Sequence, residues 1–125
     1  MHKILIVDDE EIMRDMLVQM VTEVGYTASS AINGLEAESA CDKEHFDLVI
    51  LDMVMPGLNG KETFLKLREL TPDVRVVFCS GFHREGTNEE LLQSGARGFI
   101  QKPYSRSAIS KVVADAMVPA GDFLS

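Results

Sequence analysis

The sequence predicts an α/β fold, doubly wound about a five-stranded parallel sheet, and three observations carry it. Short apolar or β-branched runs alternate five times with segments of helical periodicity. The connections between them are short and punctuated by glycine, proline or asparagine. The run Leu48-Val49-Ile50-Leu51 is apolar throughout, as in a strand covered on both faces. Such alternation requires right-handed crossovers, which place helices on both faces of the sheet.

The first strand spans residues 3–7 and runs directly into Asp8-Asp9-Glu10-Glu11. In the first helix Ile12, Met16, Met20 and Val24 recur at intervals of four, and Met13 and Leu17 widen that stripe, so this Met-rich face is expected in the core. Acids in the opening turn suit the helix dipole, and Gly25 supplies a C-terminal stop. Residues 26–31 form the second strand, Asn33-Gly34 a turn, and residues 35–43 a short second helix. The third strand ends at Asp52, where Pro56 and Gly57 soon forbid further strand. Residues 61–70 form the third helix, with Phe64, Leu65 and Leu67 available to the core. Residues 74–79 are the fourth strand, 89–94 a short fourth helix stopped by Gly95, and 98–101 the fifth strand. Ser105 caps a fifth helix that runs to Met117. Residues 1–117 are thus one domain and 118–125 a C-terminal tail.

Composition narrows the function. A net charge of −8 disfavours a nucleic-acid surface, because neutralising phosphates needs clustered Lys and Arg. No apolar run approaches a membrane span, and residues 4–7 are too short and too promptly followed by acids for a signal peptide. A cytoplasmic location is expected, with no direct nucleic-acid or membrane contact and with proteins or cations as partners. Cys41 and Cys79 lie in different elements without metal-ligand spacing, so two buried free thiols are expected. His2, His45 and His83 are isolated and read as ordinary surface residues.

The strand order expected is 2-1-3-4-5, the flavodoxin-like (βα)5 arrangement, which sets the ends of strands one and three side by side at the switch point where ligands bind. The strand ends that reach this crevice carry Asp8 and Asp9, Asp52, Ser80 and Lys102. One acid at a strand end is commonplace; three carboxylates, a hydroxyl and an ammonium at one rim are not. Close carboxylates repel and demand a cation, and an oxygen-only set suits Mg²⁺ before Ca²⁺ or Zn²⁺. A nucleophile, a metal, a fixed cation and a hydroxyl donor are the parts of phosphoryl transfer, with Asp52 as the nucleophile.

This set, with Met55-Pro56-Gly57 after Asp52 and Pro103 after Lys102, resembles the receiver domain of two-component response regulators from about Lys3 to Met117. The resemblance implies that Asp52 accepts a phosphoryl group from a phosphohistidine on a sensor histidine kinase or a histidine phosphotransfer protein. It implies Mg²⁺ held by Asp9, Asp52 and the Val54 backbone carbonyl, with Asp8 acting through a bound water. Lys102 would pair with Asp52 and then the phosphate, Ser80 would hydrogen-bond a phosphoryl oxygen, and Phe99 would rotate inward. The Lys102-Pro103 peptide would be cis. The face of the fourth helix, fifth strand and fifth helix would then change for a downstream output protein or domain. The domain would be a signalling module, not an enzyme in its own right, and a monomer or weak homodimer.

Several residues depart from the common receiver pattern. Ser80 stands where Thr is frequent, Gly81 where Ala is commoner, and Phe99 where Tyr is often found. Ser80-Gly81 with the stretch from Gly95 to Tyr104 looks most like receivers of hybrid sensor histidine kinases, so a stand-alone receiver and part of a longer kinase both stay open. Val54 and Phe82 flank the hydrolytic water's route in this family; both are apolar here, and slow self-dephosphorylation is expected.

Three other readings compete. A phosphatase of the haloacid dehalogenase type places its Asp nucleophile after strand one as Asp-x-Asp and carries a cap insertion; here those acids are adjacent and there is no insertion. A flavodoxin-type cofactor binder needs a Ser/Thr-rich phosphate loop where this chain has four acids. A degenerate receiver would have lost site residues that this chain keeps.

Overall fold

The computed structural model describes residues 3–52, 60–80, 98–101 and 105–117. These form strands β1 (Lys3–Val7), β2 (Thr27–Ala31), β3 (Leu48–Asp52), β4 (Val76–Ser80) and β5 (Gly98–Gln101), with helices α1 (Glu11–Val24), α2 (Gly34–Lys43), α3 (Gly60–Leu70) and α4 (Arg106–Met117). The sheet is parallel in the order β2-β1-β3-β4-β5, the flavodoxin-like order expected from the sequence. The helix expected over 89–94 and the tail 118–125 lie outside the described residues.

The pleat sorts the core into two layers, because successive strand side chains point to opposite faces. Leu5, Val7, Val49, Leu51, Val76 and Phe78 pack with Ala37, Phe64 and Leu67 of α2 and α3. Ile4, Ile6, Leu48, Ile50, Val77, Cys79 and Ile100 pack with Leu17, Val21, Ile109, Val113 and Ala116 of α1 and α4. β3 is buried at every position, which is why its sequence shows no alternation. β2 lies at the sheet edge and is mostly polar, a composition that discourages pairing with another chain.

In two helices part of the expected apolar set faces solvent, while Met13, Leu17 and Met20 of α1 and Phe64 and Leu67 of α3 pack inward as expected. In α1 the inward residues are Leu17 and Val21, flanked by Met13, Val18 and Met20, whereas Ile12 is 80% exposed and Met16 and Val24 also reach solvent. A row of i+4 steps drifts by about 40° per step, so residues 12, 16, 20 and 24 cannot all share one face. In α3 Phe64 and Leu67 are buried and Leu65 is exposed, since its position lies about 100° round from Phe64. β4 also begins two residues later than expected, because Val74 donates its N–H to the Thr71 carbonyl (3.0 Å) and closes a turn before the strand.

The helix ends are set by local chemistry. Gly25 adopts φ 114°, its N–H donates to Thr22 and that of Tyr26 to Val21, a Schellman closure of α1. A Cβ there meets no atom within 4 Å, so Gly25→Ala tests backbone strain alone. The expected loss is about 1–2 kcal/mol by urea denaturation, with Gly25→Asn costing less. Asn33, read from sequence as turn punctuation, is the N-cap of α2: its Oδ1 accepts from the Glu36 N–H (2.9 Å) while Glu36 Oε1 accepts from the Ile32 N–H (3.0 Å). Asn-x-x-Glu was the available signal. Ser105 Oγ accepts from the Ala108 N–H (3.2 Å) at the start of α4, as expected.

Candidate functional site

β1 and β3 pair with Val7 opposite Leu51, so the next residues, Asp8 and Asp52, come level at the carboxyl end of the sheet. β3 and β4 pair with Asp52 opposite Cys79. Asp8, Asp52 and Cys79 share pleat parity with Ile6, Ile50 and Val77, so all three cap the core layer beneath α1 and α4. The result is a row of donors across three adjacent strands. One carboxylate oxygen from each aspartate and the Cys79 Sγ lie within 4.8 Å of one another, and all three residues are buried.

The β1–α1 turn holds Asp8 in place. Its N–H donates to the Ala31 carbonyl (3.2 Å), its Oδ1 accepts from the Glu10 N–H (2.9 Å), and its carbonyl accepts from Arg14 Nη1 (2.9 Å). Asp9, next in the chain, faces solvent. At the opposite end of β3 the Lys3 N–H donates to Asp47 Oδ2 and the Asp47 N–H returns to the Lys3 carbonyl, both at 2.8 Å, which fixes the β1–β3 register.

The structure therefore brings Asp8 and Asp52 together and leaves Asp9 on the solvent side of the same turn. Ser80 closes β4 in register with Gln101, and Phe99 lies in β5 opposite Phe78. The side chains of Ser80 and Phe99, and Val54, Phe82, Lys102 and Pro103 altogether, lie outside the described residues. Cys79 was read from sequence as a plain buried thiol. Its place beside the acids follows only from inter-strand register, although its position immediately before Ser80 was a usable signal.

Two buried carboxylates set side by side are costly unless a cation or proton offsets their charge. Oxygen donors at a strand-end crevice suit a hard divalent ion such as Mg²⁺, so the acid pair fits that ion and Cys79 is the discordant donor. The other thiol has no such setting. Cys41 is free and partly buried on α2, and burial pushes its thiol from an ordinary 9.0 up to about 11. The folded chain favours the neutral thiol, so this stabilisation is complete below pH 9 and is lost as pH rises toward about 11. Alkylation of Cys41 at pH 8 should be slow, and Cys41→Ala should flatten the fall in stability across that window.

Comparison with known proteins agrees with this geometry. Residues 4–114 match the response regulator receiver domain family. The chain is 33% identical to the chemotaxis protein CheY of Thermotoga maritima over 86% of its own length and 90% of the relative's. It is likewise 33% identical to sporulation initiation phosphotransferase F of Bacillus subtilis, covering 90% of each. Among solved structures, the CheX-CheY-BeF3-Mg²⁺ complex of Borrelia burgdorferi superposes with a TM-score of 0.90 at 29% identity, over 94% of this chain and 90% of that one. Vibrio cholerae CheY4 does so at 0.86 and 26%, over 93% and 98%. With a buried acid pair at the switch point of the expected sheet and a family match across nearly the whole domain, the chain belongs to the response regulator receiver domains of two-component signalling.

Proposed function

We propose that Asp52 is the phosphoacceptor, taking a phosphoryl group from a phosphohistidine in a Mg²⁺-dependent reaction. The observation that carries this reading is the buried meeting of Asp8 and Asp52 at the carboxyl end of adjacent parallel strands. Asp52 ends a fully buried strand, so its carboxylate is held in place by the rigid centre of the sheet. One oxygen of Asp52 attacks phosphorus as the bond to the donor histidine nitrogen breaks, leaving an acyl phosphate on Asp52 and a free imidazole on the donor.

Asp9, Asp52 and the Val54 carbonyl would hold Mg²⁺, with Asp8 acting through a water. Once bound, Mg²⁺ supplies positive charge against the carboxylates and the incoming phosphoryl oxygens. Asp9, exposed on the same turn, would have to swing in from solvent to meet the ion, and the buried Asp8, anchored by the Glu10 N–H, would order the floor of the crevice. Lys102 pairs with Asp52 and then with the phosphoryl group, while Ser80 donates to a phosphoryl oxygen. That contact favours the state in which Phe99 turns inward, and the surface around residues 89–94, β5 and α4 passes the change to an output protein. The donor is a sensor histidine kinase or a histidine phosphotransfer protein. A cytoplasmic location fits, since among the described residues no helix is long and apolar enough to cross a membrane.

Incubating the chain with a small-molecule phosphodonor and Mg²⁺ should add one phosphoryl group, seen by intact mass. Turnover of a phosphate ester with no persisting adduct would instead indicate a phosphatase and defeat this reading. The apolar Val54 and Phe82 cannot orient a hydrolytic water, so the adduct should be long-lived. Val54→Asn with Phe82→Glu should shorten its half-life about tenfold or more; an unchanged half-life counts against that assignment.

A further inference from the structure

The discordant donor carries a proposal of its own. Cys79 is a buried sulfur whose Sγ lies within 4.8 Å of carboxylate oxygens from both Asp8 and Asp52, and register and pleat parity place all three in one row. Mg²⁺ gains little from such a sulfur: it prefers oxygen and gives up water reluctantly. Ions of the Zn²⁺ class behave oppositely, accepting thiolate and carboxylate together in compact tetrahedral sites. In such a site neighbouring ligand atoms stand about 3.5 Å apart, a spacing that falls inside the 4.8 Å within which these three donors lie.

We propose that Asp8, Asp52 and Cys79 form an inhibitory site for a thiophilic divalent cation of the Zn²⁺ class. Cys79 binds as the thiolate, its proton leaving to solvent. The site uses the Asp52 carboxylate, the group that must be free to attack phosphorus, so occupation by the softer ion and phosphoryl acceptance exclude one another. This inference rests on the reading of Asp52 as phosphoacceptor and adds a second cation whose effect is opposite to that of Mg²⁺.

The test uses the full chain with Cys41→Ser, so that Cys79 is the one remaining thiol. Cd²⁺ serves as the probe, because a cadmium–thiolate bond gives an ultraviolet charge-transfer band that carboxylate binding does not. The band is expected to saturate at one equivalent, to vanish in Cys79→Ala and to weaken in Asp52→Asn. Cys79→Ala should lower Zn²⁺ affinity about a hundredfold, since losing a direct ligand costs at least as much as losing a supporting partner. Mg²⁺ affinity should remain within about twofold, because Mg²⁺ takes oxygen ligands. Zn²⁺ should block adduct formation in the parent chain, with Cys79→Ala restoring it. Calorimetric Cd²⁺ binding without the band, or a band that survives in Cys79→Ala, overturns the proposal. If Mg²⁺ binds and Asp52 is phosphorylated but no band forms, only this inference fails. If neither ion binds and no adduct forms, the phosphoacceptor reading fails with it. Cys79→Ser, which keeps a donor of similar size but not the soft sulfur, should also lose the band; thermal unfolding confirms that each variant is folded.

Discussion

Asp52→Asn, under the proposed acceptor role, is expected to abolish the phosphoryl adduct completely and also to remove the thermal stabilisation expected from Mg²⁺ on the unphosphorylated chain. The carboxamide keeps the shape of the aspartate, so the end of β3 and its register with Cys79 should persist. What it lacks is the anionic oxygen that the proposed reaction needs to attack phosphorus and that would contribute charge to the proposed cation site. A ligand that binds only the native state at ten times its Kd stabilises by about 1.4 kcal/mol. For a domain of this size that raises Tm by about 5 °C. The parent chain should show this rise with Mg²⁺, and Asp52→Asn should show little of it. Intact mass and thermal unfolding read the two effects independently. An adduct of unchanged stoichiometry on Asp52→Asn would refute the assignment of the acceptor.

Phe64→Ala is expected to produce the largest loss of stability, about 3–5 kcal/mol by urea denaturation. Against a typical domain stability of about 5–15 kcal/mol, that approaches unfolding. Phe64 is fully buried and meets Phe78 edge to face, with ring centroids 5.3 Å apart at 84°. Such a pair adds about 0.5–1.5 kcal/mol beyond its buried area. The Arg68 guanidinium lies 5.4 Å from the centre of the same ring. Truncation therefore leaves a cavity between α3 and the sheet and strands Phe78 without its partner. The neighbouring Leu65→Ala should cost about 0.5 kcal/mol or less, because Leu65 is 47% exposed. Equal losses at the two positions would mean that α3 is rotated from the arrangement seen here. Both substitutions lie away from the acid pair, so any folded fraction should still accept phosphoryl at Asp52.

How far the sequence could be read depends on whether a signal was local. The ends of β1 and β5 were legible because charged or polar residues and glycine interrupt short apolar runs there. The stop of α1 was legible because only glycine sits easily at φ 114°. The inward face of α1 was legible only in part: Met13, Leu17 and Met20 pack inward as expected, but two overlapping apolar rows fit the sequence and only the sheet beneath selects the one through Leu17 and Val21. β2 was faint because an edge strand, paired among the described strands with β1 alone, needs little apolar character.

From the sequence alone came the α/β class, the order of the strands, the acid at the end of β3 and the likeness to receiver domains. The class and the acid rest on patterns within a few residues of one another and the likeness on motifs set at strand ends, whereas the order of the strands was the common doubly wound arrangement, chosen by its likeness to known sheets. Tertiary structure decided which helix faces are buried and which donors stand beside Asp52. Cys79 is 27 positions from Asp52 in the chain and directly opposite it in the sheet. Register is a non-local property: a slip of one residue would turn Cys79 to the other face of the sheet, and no periodicity within β4 records which alignment its neighbour imposes.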